Sequence, residues 1–198
     1  MRIAIYGGTF DPIHDAHVQV AEEAIRVAEL DRVLLIPASD PPHKPGLARA
    51  PYEDRLHMVE LAVAGHPHLQ ASDIERRQGR SYSIDTIREL KAQLPQGTEW
   101  FFLIGADAFA EIGTWYKFAE VMASVVFLVV ARPGYTYQIP TGAQVIPIES
   151  LALHVSSSEI RHDLDGGRMP GHLPPAVATY IREKGLYGFG KTPHCDIL

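Results

Sequence analysis

Residues 1–17 read MRIAIYGGTFDPIHDAH, and the order of residue types here decides the fold. The apolar run Ile3 to Tyr6 predicts a buried β-strand. It stops at Gly7-Gly8, and Thr9, Phe10, Asp11 and Pro12 predict a tight turn. His14 and His17 follow, ahead of a helical run from Val18 to Leu30. A strand, a glycine turn and a helix start together make a phosphate site. Glycine lets the backbone approach a ligand closely. The helix N-terminus offers N–H groups and a partial positive charge, and imidazoles one turn apart aim at the same anion. The stretch is not a P-loop, because the Gly-Lys-Ser/Thr step is missing. A Gly-Gly turn alone would be an ordinary connection; Gly-Gly, Asp-Pro and paired His in this order are far more specific.

Outward from this stretch, strand and helix patterns alternate. Strands are expected at Arg32 to Pro37, Leu69 to Ala71, Glu99 to Ile104, Val125 to Ala131 and Val145 to Ile148. Helices are expected at Tyr52 to Ala64, Ile84 to Leu94, Ser156 to Leu164 and Pro175 to Lys184. The runs EWFFLI and VVFLVVA are apolar throughout, as strands covered on both faces are. The pattern implies an α/β fold, a Rossmann-like doubly wound, mainly parallel sheet with helices on both faces. One domain over 1–188 is expected, with a loosely ordered tail over 189–198. In such sheets ligands bind beyond the C-terminal strand ends, and every motif below follows a predicted strand.

The 198 residues carry 46% hydrophobic and 21% charged side chains, ordinary for a soluble globular protein. The net charge of −6 argues against broad nucleic-acid binding. No apolar run reaches the roughly 20 residues that span a bilayer, and no signal peptide is evident. The single Cys195 excludes an internal disulfide framework and fits a reducing cytoplasm. A homo-oligomer stays open.

The opening stretch resembles the signature of the HIGH-type nucleotidyltransferases, and is most similar to bacterial nicotinate mononucleotide adenylyltransferases. Ala16 stands where that family usually has Gly between its two histidines. The resemblance extends along the chain. PPHK (41–44) resembles a loop whose basic residue, here Lys44, meets nucleotide phosphates; prolines stiffen it, and His43 is a support residue. Tyr82 and Ser83 match a segment whose backbone holds the nicotinate carboxylate, and Ser83 also reads as a helix N-cap. Gly105 and Asp107 match a nucleotide-contacting element, where Asp107 would meet a ribose or a hydrated magnesium ion. Trp115 and Tyr116 match an aromatic pair that stacks on the pyridine, with a cation–π contribution of about 0.5–2 kcal/mol. Arg132, in ARPGY, lies on the adenosine side or pairs with a carboxylate, with equal weight. Finally VSSSEIR (155–161) resembles a second phosphate signature, with Ser156 and Glu159 as a capping box and Ser157, Ser158 and Arg161 on the ATP phosphates. Gly8, Thr9, Phe10, His14 and His17 complete the implied ATP site.

The resemblance implies adenylyl transfer from ATP to nicotinate mononucleotide, giving nicotinate adenine dinucleotide and pyrophosphate. In it, His17 stabilises the transition state, His14 orients phosphates, and Lys44 and Arg161 absorb charge. Magnesium arrives with ATP, and no protein metal site is expected. Rival readings are an adenylyltransferase for nicotinamide mononucleotide or phosphopantetheine, and a catalytically silent nucleotide-binding module. The elements SYSIDT (81–86) and GTWYKF (113–118) favour the pyridine substrate.

Overall fold

The computed structural model describes residues 1–40, 48–76, 81–150 and 155–190. Six strands form one sheet: β1 (Arg2–Gly8), β2 (Arg32–Pro37), β3 (Leu69–Ala71), β4 (Glu99–Gly105), β5 (Val126–Ala131) and β6 (Val145–Glu149). Their spatial order is β3-β2-β1-β4-β5-β6, and every pairing is parallel. The doubly wound expectation therefore holds. The chain reverses direction across the sheet between β1 and β4, which opens a crevice at their C-terminal ends.

The apolar strands alternate between two cores. Ile3 and Ile5 of β1, Leu34 and Ile36 of β2, Trp100, Phe102 and Ile104 of β4, and Phe127 and Val129 of β5 face one side. Ala4, Val33, Leu35, Phe101, Leu103 and Leu128 face the other. Successive strand residues point to opposite faces, so a sheet covered twice needs apolar residues at every position. The first core is closed by α3 (Ser83–Gln93), α4 (Ala106–Ala110) and α5 (Phe118–Ser124), through Ile84, Ile87, Phe109 and Val121. The second is closed by α1 (Asp15–Ala28), α2 (Tyr52–Val63), α6 (Ser157–Asp165) and α7 (Pro175–Lys184). Full burial of each such side chain contributes about 1.5–3 kcal/mol.

Three expectations need correction. The helix α1 starts at Asp15, so His14 and His17 belong to its first turn. The residue capping α3 is Tyr82, and Ser83 already lies inside the helix; no side chain caps it. Phe189, assigned by its lack of periodicity to the tail, packs against the second core, and its N–H donates to the Leu186 carbonyl. The short α4 and α5 carry too few residues for a periodic signal and were not expected. Among the described residues no helix is long and apolar enough to cross a membrane.

Candidate active site

The signature loop leaves β1 at Gly8, and Phe10 turns back beneath it with a φ of 47°. Its ring is 2% exposed and meets Tyr6 and His17 edge-on, with centroids 5.5 and 5.1 Å apart. A Cβ on Gly8 would lie 3.0 Å from that ring, so glycine is needed here for Phe10 as well as for a ligand. The Phe10 side chain supports the loop from below, so its backbone is the part left to face the crevice. Asp11, 2% exposed, accepts hydrogen bonds from the N–H groups of Arg49 (2.8 Å) and Ala50 (3.1 Å) and from the Tyr187 hydroxyl (2.8 Å). One carboxylate thus ties the signature loop to Arg49 and Ala50, just ahead of α2, and to Tyr187 near the end of the described chain.

His14 caps α1 in an extended conformation, and its N–H donates to Nδ1 of His17 at 3.2 Å. That bond leaves the proton of a neutral His17 on Nε2, as a donor. The two rings stack at 3.8 Å. Burial, with repulsion from His172 second, pushes His14 down to about 4. Burial, with repulsion from His14 second, pushes His17 well below its ordinary value. Both rings are neutral at pH 7 and act as hydrogen-bonding groups rather than as charges. His14 Nδ1 is buried with no partner among the described residues. Ala16 is buried, so its methyl offers a nucleotide little to collide with.

The second signature meets the first directly. Ser156 caps α6, accepting from the Glu159 N–H while the Glu159 carboxylate accepts from the Ser156 N–H. The Ser157 hydroxyl donates to the Pro12 carbonyl at 3.0 Å. Arg161 donates through Nη1 to the Asp11 carbonyl at 2.7 Å and through Nη2 to the Ser158 hydroxyl at 3.0 Å. Its Nη1 also lies 3.7 Å from the Asp11 carboxylate. Sequence-distant helix starts are therefore held side by side. The Ser157 proton is spent on Pro12, which leaves Ser158 and Arg161 as the freer of the three toward an anion.

Two cavities open at the strand ends. One, of about 320 Å³, is lined by Gly8, Thr9, Tyr82, Ser83, Gly105 and Trp115, among others. Trp115 packs edge-on against Phe102 at 5.6 Å. Tyr116, 49% exposed, leans on Tyr82 at 4.6 Å. The other cavity, about 290 Å³, is lined by Asp107, Arg132, Tyr135 and Ser150. Asp107 accepts a hydrogen bond from the Tyr135 hydroxyl at 2.9 Å. Arg132 lines this cavity and makes no ion pair among the described residues. Gly105 lines both cavities. Lys44 and His43 lie outside the described residues.

The cytidylyltransferase-like family model matches residues 5–163. The chain belongs to that family. Within it, the chain is 52% identical over 187 residues to the "Probable nicotinate-nucleotide adenylyltransferase" of Solibacter usitatus, covering 94% of this chain and 100% of that protein. It is 43% identical to the protein of that name from Geobacter sp. (strain M21), covering 94% and 98%. The chain is thus a member of the nicotinate-nucleotide adenylyltransferase branch. The fold matches the Plasmodium falciparum nicotinic acid mononucleotide adenylyltransferase complexed with NaAD, with a TM-score of 0.80 at 20% identity over 95% of this chain and 98% of that one.

Beside these family motifs stands a residue that the sequence did not single out. Arg55, on the buried face of α2, is 2% exposed. Its Nη1 donates to the carbonyls of Thr9 (2.7 Å) and Ala38 (2.8 Å), and its Nε to that of Ala50 (3.3 Å). Burial pulls its pKa down, and Asp11 opposes that most strongly. A cation among carbonyls holds the exits of β1 and β2 together. An arginine inside the apolar spacing of a helix was its only trace in the sequence.

Proposed function

We propose that the protein transfers the adenylyl group of ATP to nicotinate mononucleotide. The phosphate of the mononucleotide attacks the α-phosphorus in line, a new P–O bond forms, and pyrophosphate leaves. The attacking phosphate is already anionic, so no general base is required, and the neutral state of His14 and His17 suits that. Catalysis then rests on positioning and on charge neutralisation. His17 donates from Nε2 to the oxygens of the transition state, and Arg161 neutralises the triphosphate beside the start of α6. Lys44 takes the same part by family resemblance.

The observation that carries this reading is the pair of ligand-sized cavities sharing Gly105. Trp115 and the uncapped start of α3 suit a pyridine with a carboxylate in one, and Asp107 and Arg132 suit a nucleoside in the other. Among the described residues no group of three or more His, Cys, Asp or Glu side chains is placed to hold a metal ion. Magnesium enters as part of the MgATP substrate, keeping most of its waters.

Pyrophosphate release from MgATP, measured with each pyridine mononucleotide, tests the proposal. Nicotinate mononucleotide is expected to react with a kcat/KM roughly ten- to a hundredfold above that of the amide. Backbone donors at α3 would face the amide NH2 unpaired, at about 1–3 kcal/mol. No turnover with either mononucleotide refutes adenylyl transfer; equal kcat/KM values refute only the carboxylate pocket.

A further inference from the structure

Glu75 is buried at the edge of the first cavity, 7% exposed, on the segment between β3 and α3. Its Oε1 accepts a hydrogen bond from the Thr86 hydroxyl at 2.6 Å. Its Oε2 is buried and has no partner among the described residues. Burying a carboxyl oxygen unpaired is costly, and native proteins leave few such atoms unsatisfied. Tyr52 does not relieve it, because the Tyr52 hydroxyl is itself buried without a partner among the described residues. The missing donor is to be sought in what fills the cavity, which Glu75 lines together with Tyr82, Ser83 and Trp115.

The chemistry of the occupant narrows the choice, on the reading that the cavity takes nicotinate mononucleotide. The nicotinate carboxylate only accepts hydrogen bonds and carries the same charge as Glu75. The pyridinium ring has no N–H, and the phosphate is anionic. The donors left are the two ribose hydroxyls. We propose that Glu75 is a specificity-determining residue of the mononucleotide pocket, whose Oε2 accepts a hydrogen bond from a ribose hydroxyl. Oε1 on Thr86 fixes the carboxylate against the first turn of α3, so the same side chain joins the wall of the ring pocket to the sugar. Such a contact reports whether the ligand is a ribonucleotide, a distinction that stacking on Trp115 does not make.

The test uses the full chain and MgATP, with nicotinate mononucleotide, its 2′-deoxy and 3′-deoxy analogues, and nicotinamide mononucleotide. In the wild type, one deoxy analogue should lose roughly ten- to a hundredfold in kcat/KM, as expected for losing a hydrogen bond to a charged acceptor. Glu75→Gln keeps an acceptor for Thr86 and replaces the free oxygen by an NH2 or weakens it. It should raise the KM for nicotinate mononucleotide roughly tenfold and leave the KM for ATP within about twofold. It should also react with the parent and the deoxy analogue alike, a pattern a merely structural residue would not produce. The proposal is overturned if the wild type uses both deoxy analogues as well as the parent, as it would if a water satisfied Oε2. It is equally overturned if Glu75→Gln keeps the wild-type discrimination, or if it changes only the ratio of amide to acid. The wild-type deoxy comparison stands even if the variant folds poorly. Turnover of the parent substrate by the wild type separates failure of this proposal from failure of the adenylyltransfer reading.

Discussion

Asp11→Asn tests whether one buried carboxylate holds the two phosphate signatures together. The carboxylate accepts from Arg49, Ala50 and Tyr187 and lies 3.7 Å from the Arg161 guanidinium. An asparagine keeps the shape and one acceptor. Its better orientation keeps the oxygen on Ala50 and Tyr187 and turns the NH2 toward the Arg49 N–H, so one bond becomes a donor–donor contact. The remaining bonds lose their ionic character, worth roughly half their strength. Leaving a buried donor unsatisfied costs about 1–3 kcal/mol, so a total near 2–4 kcal/mol is expected. For a chain of this size that is a fall in Tm of roughly 5–15 °C. Tyr187→Phe removes a single hydroxyl and should cost about 1 kcal/mol. The two changes share an atom pair, so the double variant should cost less than the sum of the singles. Thermal melts of the four proteins, followed by the KM for ATP where the variant is folded, measure this. Asp11→Asn within 1 °C of wild type, or strict additivity with Tyr187→Phe, would refute the role given to the carboxylate.

Further outcomes follow from the same geometry. His17→Ala should lower kcat roughly a hundred- to a thousandfold, the scale of one lost transition-state donor, with a smaller change in KM; near-wild-type kcat would remove Nε2 from the chemistry. Gly8→Ala forces a methyl to within 3.0 Å of the buried Phe10 ring and should cost about 1–3 kcal/mol, read by thermal melting, with a smaller cost when it is made in a Phe10→Ala background. Acid stability has a defined sign: His14, ordinarily at 6.5 and held at about 4, and His17, lowered in the same direction, bind fewer protons folded than unfolded. Their stabilisation is complete above about 6.5 and is lost as pH falls toward 4, His14 alone accounting for up to about 3 kcal/mol. Denaturant titrations at pH 7 and pH 5 should differ for the wild type and differ less for His14→Gln.

How much of this was legible in the sequence depends on whether a residue acts through a local pattern or across the fold. Strands β2 and β3 and helix α7 were read at their true limits, because short apolar runs, helical spacing and flanking Gly and Pro are local signals. The Ser156–Glu159 capping box was legible for the same reason. Ser83 misled because serine favours cap positions, whereas the β-to-helix transition falls one residue earlier, at Tyr82. Phe10 was named only as part of the site the resemblance implies; its positive φ and the nearness of His17 show that the ring points inward, which no local pattern encodes. Glu75 carried no weight in the sequence, since its meaning lies in a burial and a missing partner that no spacing encodes.

Arg55 is the clearest case, and it bears on why the site needs a buried cation at all. The exits of β1 and β2 lie side by side in the parallel sheet, with Gly8 opposite Pro37. Past those residues the ladder ends, and the carbonyls of Thr9 and Ala38 have no strand partner to receive. Water would satisfy them only if the crevice stayed wet, which would weaken every electrostatic interaction inside it. The guanidinium supplies donors from below, within 2.8 Å of both oxygens, and leaves the upper side of the loop open to a ligand. The same charge lies near Asp11, whose carboxylate offsets the burial of Arg55 and in turn neighbours Arg161. A chain of alternating charges thus runs beneath the signature loop from α2 to α6, with Arg161 at its far end, bound to the Asp11 carbonyl and the Ser158 hydroxyl.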